Sequence, residues 1–195
     1  MAVAEHHMET STGLDNRKLM MWLFLASDCL FFGAFIAAYL LYRDRSLVGP
    51  YPSDLFDIPF TSISAFVLLM SSVTMVLALS CIQRGDRRGM QVWLFTTAIL
   101  GLLFISGQAY EFTEFNHEGL SLSTNLFGTT FFVLTGFHGA HVTLGIVVLL
   151  SLFVASLQGR IQQKDSLNVE LAGLYWHFVD IVWIVIFTLI YLIQP

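Results

Sequence analysis

Long apolar runs separated by short polar segments set the pattern of the chain. Five stretches reach the roughly 20 residues that a helix needs to cross the hydrocarbon core. They cover approximately residues 19–42, 61–83, 90–112, 126–157 and 172–193. The runs are continuous rather than alternating, which argues for helices and against membrane strands. The fourth run exceeds the hydrocarbon thickness, so its ends are expected in the headgroup region or outside it. The connections carry turn and charge signals: Gly49, Pro50, Pro52 and Pro59 in 43–60, RGDRRG in 84–89, acids with a histidine and a glycine in 113–125, and polar residues in 158–171. The pattern predicts an all-α integral membrane bundle of five transmembrane helices. Residues 1–18 form a polar N-terminal tail and 19–195 the membrane domain, without internal repeat or soluble domain.

Composition strengthens this picture. Of 195 residues, 56% are hydrophobic and 12% charged, against roughly 25% charged in a soluble domain. The net charge of −5 leaves no basic footprint for nucleic acid. Cys29 and Cys81 both lie inside apolar runs and form no CxxC pair, so they read as small hydrophobes. The first apolar run is too long for a signal-peptide core. His6 and His7 fall in the polar tail, where a disordered segment explains them better than a metal site.

Positive charge sets the orientation. Arg17 and Lys18, then Arg84, Arg87 and Arg88, then Arg160 and Lys164 fall in three segments that must share one side. The opposite side holds only Arg43 and Arg45. Seven against two predicts a cytoplasmic N-terminus and a C-terminus outside. The short turn 84–89 makes spans two and three antiparallel neighbours.

Ionisable groups inside the spans are the candidate chemistry, because each costs at least about 2.5–3.5 kcal/mol when charged at mid-bilayer. Asp28 shares a helical face with Phe24, Phe31 and Phe35. It reads either as a group that exchanges protons or binds a partner helix, or as an acid making one structural hydrogen bond. His138 and His141, three apart in TGFHGAHVTLG (135–145), read as a metal or haem site or, preferably, as hydrogen-bonding groups in a seam opened by Gly136, Gly139 and Gly145. His177 and Asp180, also three apart, are expected to pair or to reach span four. Trp176 near the start of span five reads as an interface marker. Glu111 is expected near the outer surface in a solvated or capping role, with Gln108 one turn earlier. Glu170 precedes span five, where a helix N-terminus favours an acid. Spans one, four and five could converge around Asp28, His138, His141, His177 and Asp180.

TGFHGAHVTLG followed by YWHFVDIVW (175–183) resembles subunit III of the haem-copper respiratory oxidases. GQAYEF (107–112), GLSLSTNLFGTTFF (119–132), WLFLASDCLFFGAF (22–35) and FDIPFTSISAFVLLMSSVTM (56–75) are similar to that family in the same order. The resemblance covers residues 19–193. It implies a helical subunit of the bacterial plasma membrane that packs on catalytic subunit I, beside subunit II and a small further subunit. It also implies a chain without a redox centre, with haem and copper in its partners, that supports proton uptake and durability during turnover and contacts phospholipid. Longer members have seven helices, and this sequence lacks the first two, which form one wall of the family's lipid cleft. Many members carry glutamate where Asp28 stands. Aspartate occurs in members similar to quinol oxidases, whereas GQAYEF and STNLFG look more like bacterial cytochrome c oxidases. The expected role is therefore accessory subunit III of a cytochrome c oxidase. The alternatives are a quinol oxidase subunit, a b-type haem protein using His138 or His141 with His177, and a small transporter relaying protons through Asp28 and Asp180.

Overall fold

The computed structural model describes residues 13, 15–43, 45 and 57–193. His6, His7, Gly49, Pro50 and Pro52, with most of the polar tail and the first connection, lie outside the described residues. The described chain forms five long helices: α1 (Asn16–Tyr42), α2 (Ile58–Gln83), α3 (Arg87–His117), α4 (Leu126–Leu157) and α5 (Ser166–Phe187). A π-helical turn, Thr188–Leu192, extends α5. All five are long and apolar enough to cross a membrane.

Local chemistry explains where the helices begin. Asp15, Asp57, Asp86 and Asn125 each cap a helix by accepting a hydrogen bond from the first-turn backbone, at 2.8, 3.1, 2.9 and 2.7 Å respectively. Such caps satisfy amides that a helix leaves orphaned. The Arg17 side chain and backbone amide also hold the Asp15 carboxyl below the usual carboxylate range. Pro59 falls in the first turn of α2 rather than in the preceding loop, because a first-turn proline has no intrahelical partner to lose. Gly85 closes α2 in the left-handed region (φ +78°), and the Asp86 amide then bonds back to the Cys81 carbonyl at 2.9 Å. That reversal gives α2 and α3 their tight antiparallel connection.

Two boundaries differ from the hydropathy reading. Helix α5 starts at Ser166 rather than 172, because the single 3-10 turn Gln163–Asp165 leads directly into it. There the Asp165 carboxylate accepts the Gln162 amide at 3.0 Å. Helix α3 continues to His117, five residues past the apolar run, since nothing in EFTEFNH breaks a helix.

The helices pack α1 on α4 and α5, α4 on α3 and α5, and α2 on α3 and α5. Helix α5 packs along three neighbours and is the most buried, while α1 is the most exposed. In a bilayer the lipid is as apolar as leucine, so close packing and hydrogen bonds hold helices together rather than hydrophobic exclusion. Trp176 supplies both. Its indole is fully buried between Gly101 of α3 and Gly145 of α4, where an added Cβ would lie 2.7 and 2.8 Å from the ring. Its Nε1 donates to Ser71 Oγ of α2 at 2.9 Å. One side chain therefore joins four helices. The interface role expected of Trp176 is corrected: the small residues of α3 and α4 admit it to the centre.

Contacts at the two ends group the connections as five successive crossings require. Arg17 donates to Asn168 at 3.5 Å, Lys18 pairs with Glu170, Gln163 donates to the Gln83 carbonyl at 2.7 Å, and Arg87 donates to the Ser156 carbonyl. All of these lie at one end of the bundle. At the other end Arg43 donates to the Ile193 carbonyl at 3.0 Å.

Candidate polar sites between the helices

The intramembrane polar residues fall into separate seams. The first joins α1 and α4. His141 Nδ1 lies 2.7 Å from the Phe137 carbonyl oxygen; a carbonyl only accepts, so Nδ1 carries hydrogen. Nε2 then faces Asp28 Oδ2 at 3.8 Å, with side chains 18% and 13% exposed. At this distance the two side chains face each other without a direct hydrogen bond. Phe31 and Phe32 approach the imidazole edge-on or tilted, with centroids at 5.9 and 4.9 Å. From α5, Tyr175 donates to the His141 carbonyl at 3.0 Å.

The second seam joins α3, α4 and α5. His138 is fully buried and stacks on Trp183 with centroids 4.9 Å apart and planes at 25°. Phe104 meets both rings edge-on. Neither His138 nitrogen makes a hydrogen bond within the described structure. His138 and His141, although three apart, thus face different surroundings, one aromatic and one acidic. The glycines divide as well: Gly139 meets Gln108, Gly145 meets Trp176, and Gly136 faces open space.

The third seam joins α2 and α5. His177 Nδ1 and the Ser72 hydroxyl are 2.5 Å apart. Asp180 is 3% exposed, and its carboxyl oxygens make no hydrogen bond among the described residues. Ser72 is its polar neighbour. The expected pairing of His177 with Asp180 is not formed, because Ser72 engages the imidazole from the facing helix. Spans one, four and five meet at Asp28, His141 and Tyr175, whereas His138 packs on Trp183 in a separate seam and His177 and Asp180 turn toward α2.

Two further acids differ from expectation. Glu111 is buried rather than solvated, because α2 covers that face of α3; the Thr61 hydroxyl donates to Oε1, and Tyr191 and Tyr39 lie close by. Glu170 stands inside the lengthened α5, not before it, and pairs with Lys18 of α1. The sequence reading passed over Ser71, Ser72 and Thr61. Hydroxyls recurring on one apolar helix were their signal, but their partners are more than 100 residues away for two of them and 50 for the third.

Five apolar helices with their acids and histidines turned to the seams define a multi-pass integral membrane protein. The model of the family described as "Cytochrome c oxidase subunit III" matches residues 2–194, and the chain belongs to that family. It is 36% identical over 177 residues to cytochrome c oxidase subunit 3 of Bacillus sp. strain PS3, covering 91% of this chain and 86% of the relative. It is also 36% identical over 184 residues to quinol oxidase subunit 3 of Bacillus subtilis strain 168, covering 94% and 90%. A cytochrome c oxidase subunit 3 of Synechocystis is 39% identical over 183 residues, covering 92% and 76%. The helices and the bacterial relatives identify a multi-pass plasma-membrane protein.

The α1–α4 pairing is testable as a coupling. A double-mutant cycle of Asp28→Asn and His141→Gln, read by unfolding in mixed micelles, should give a coupling energy of about 0.5–2 kcal/mol. Additive single effects would show that the two side chains do not interact.

Proposed function

We propose that the chain is the non-redox accessory subunit III of a proton-pumping haem-copper terminal oxidase that reduces O2 to water. It packs directly on catalytic subunit I, with subunit II and a small further subunit in the same complex, and phospholipid contacts its membrane surface. Haem and copper reside in the partners. The observation that carries this reading is the family match across residues 2–194. The seams support it: Trp183 and Phe104 flank the His138 ring, and His141 is engaged by Phe137 and Asp28. Aromatic rings close around His138, and His141 Nδ1 is engaged by the Phe137 carbonyl, which favours a structural role over haem ligation.

Cytochrome c is the proposed electron donor, on the strength of GQAYEF and STNLFG. A quinol oxidase is the second reading, favoured by Asp28 and by the equal 36% identity to a quinol oxidase subunit. Within either complex the Asp28–His141 pair, two titratable side chains facing each other across α1 and α4, is the part of the chain best suited to supporting proton uptake.

Affinity purification from aerobically grown membranes tests the assignment. The tagged chain should bring down a large haem-copper partner, while the isolated chain is colourless. His138→Ala with His141→Ala should leave the haem content per catalytic subunit unchanged. Loss of one haem per complex at normal subunit stoichiometry would support the cytochrome reading instead. In the intact complex, Asp28→Asn should slow turnover or shorten the active lifetime without altering the haem spectrum; normal rate and endurance would restrict Asp28 to structure.

The orientation proposed from charge places the 84–89 and 158–165 connections in the cytoplasm. Gln158→Cys and Ser123→Cys occupy exposed positions at opposite ends of the bundle. An impermeant thiol reagent added to intact cells should label Ser123→Cys and spare Gln158→Cys until the membrane is permeabilised. The reverse order would invert the topology.

A further inference from the structure

The outer faces of α3 and α4 meet in a notch of about 170 Å³ lined by Gln108, Ala109, Gly136, Gly139 and Thr143, with Ile105 and Phe112 at its rim. Gly139 stands 13 residues into the 32-residue α4, close to the bilayer midplane at a rise of about 1.5 Å per residue. Small side chains continue the surface, since Ser106, Ala109, Thr113, Ala140 and Thr143 are all exposed. Such a surface lets another helix approach closely.

A second observation gives the notch a chemistry. Gln108 is only 6% exposed, and its Nε2 donates to the Thr135 carbonyl at 2.9 Å. Its Oε1 lies over Gly139, within 2.7 Å of where a Cβ would stand. That oxygen accepts no hydrogen bond among the described residues, yet it is not sealed from the surface. A carboxamide oxygen left open to hydrocarbon loses a hydrogen bond it would keep in water. An acyl chain offers no donor. A serine, threonine, asparagine or tryptophan on a neighbouring helix does.

The geometry points to the α3–α4 notch as the docking site for a transmembrane helix of a partner oxidase subunit, which inserts one hydrogen-bond-donating side chain onto Gln108 Oε1. This inference rests on the reading that the chain sits in an oxidase complex. The grooves beside α1 are unlike it, because large side chains such as Trp22, Phe24 and Phe178 line them and keep a second backbone at a distance.

Two glycines make the test clean. A Cβ at Gly136 or at Gly33 meets nothing within 4 Å, so a side chain can start from either position without displacing a neighbour. Gly136→Leu fills the notch, and Gly33→Leu thickens the α1 face instead. With the full chain tagged in native membranes, the readout is partner haem recovered per tagged chain after mild solubilisation. Gly136→Leu should lower that ratio by about tenfold or more, and Gly33→Leu should leave it unchanged. Thr143→Leu, at an exposed position on the same notch, should lower it too, and serves if Gly136→Leu does not accumulate in the membrane. Full haem recovery with both notch variants would overturn the inference. Loss with Gly33→Leu alone would also overturn it, by placing the partner on α1. So would full haem recovery accompanied by loss of bound phospholipid, which would make the notch a lipid site. A wild-type chain that recovers no haem would refute the oxidase reading itself, a result distinct from any change between variants.

Discussion

The bundle depends on how closely its helices can approach one another, and the Trp176 slot sets that distance. An indole is the largest side chain a helix can offer, and it fits here only because Gly101 and Gly145 withdraw their Cβ atoms from its two neighbours. The Trp176 hydrogen bond to Ser71 then fixes α2 relative to α5. With α5 anchored to α2, α3 and α4 at one level, the next residue along it and one two turns further acquire fixed partners. Trp183 stacks on His138, and His177 meets Ser72. Helix α1, which takes no part in the slot, is held at its ends by Lys18 to Glu170 and Arg43 to Ile193, and in its middle by Asp28 to His141.

The same organisation explains how the chain tolerates acids and histidines within an apolar body. Each is placed against another helix rather than against lipid. Asp28 faces His141, Glu111 accepts from Thr61, and His177 is matched by Ser72. Polar contacts between helices are individually modest, on the order of 0.6–2 kcal/mol, but each is made across a different pair of helices. Together they specify which helix lies beside which, a choice that apolar surface alone leaves open. A subunit built this way can keep an apolar exterior for lipid and for its oxidase partners.

The number, class and approximate limits of the helices were legible from hydropathy, because continuous apolar runs of this length have one common solution in a bilayer. The family was legible from two motifs read together, HGAH in span four and YWHFVD in span five. Partnership was not legible. His177 and Asp180 are adjacent on one helix and looked like a pair, yet a serine from a helix 105 residues earlier takes the imidazole. Trp176 resembled an interfacial anchor because the apolar run starts at 172; the helix starts at Ser166 and carries the indole into the core. Glu111 looked solvated because it closes the third apolar run near the outer surface, while the face of α3 on which it stands is covered by α2. In each case helix–helix packing decided the outcome, and single-sequence periodicity carries little information about which faces meet.

The role of the Trp176 slot is most directly tested by unfolding Gly101→Ala, Gly145→Ala and Gly136→Ala variants in mixed micelles. One methyl group is added in each, and all three glycines lie within helices. A Cβ at the first two would lie 2.7 and 2.8 Å from the indole, while at Gly136 it would meet nothing within 4 Å. The account predicts that Gly101→Ala and Gly145→Ala each lose about 1–3 kcal/mol of stability through overpacking, and that Gly136→Ala is neutral or slightly stabilised. Equal effects at all three positions would contradict a bundle organised around that indole.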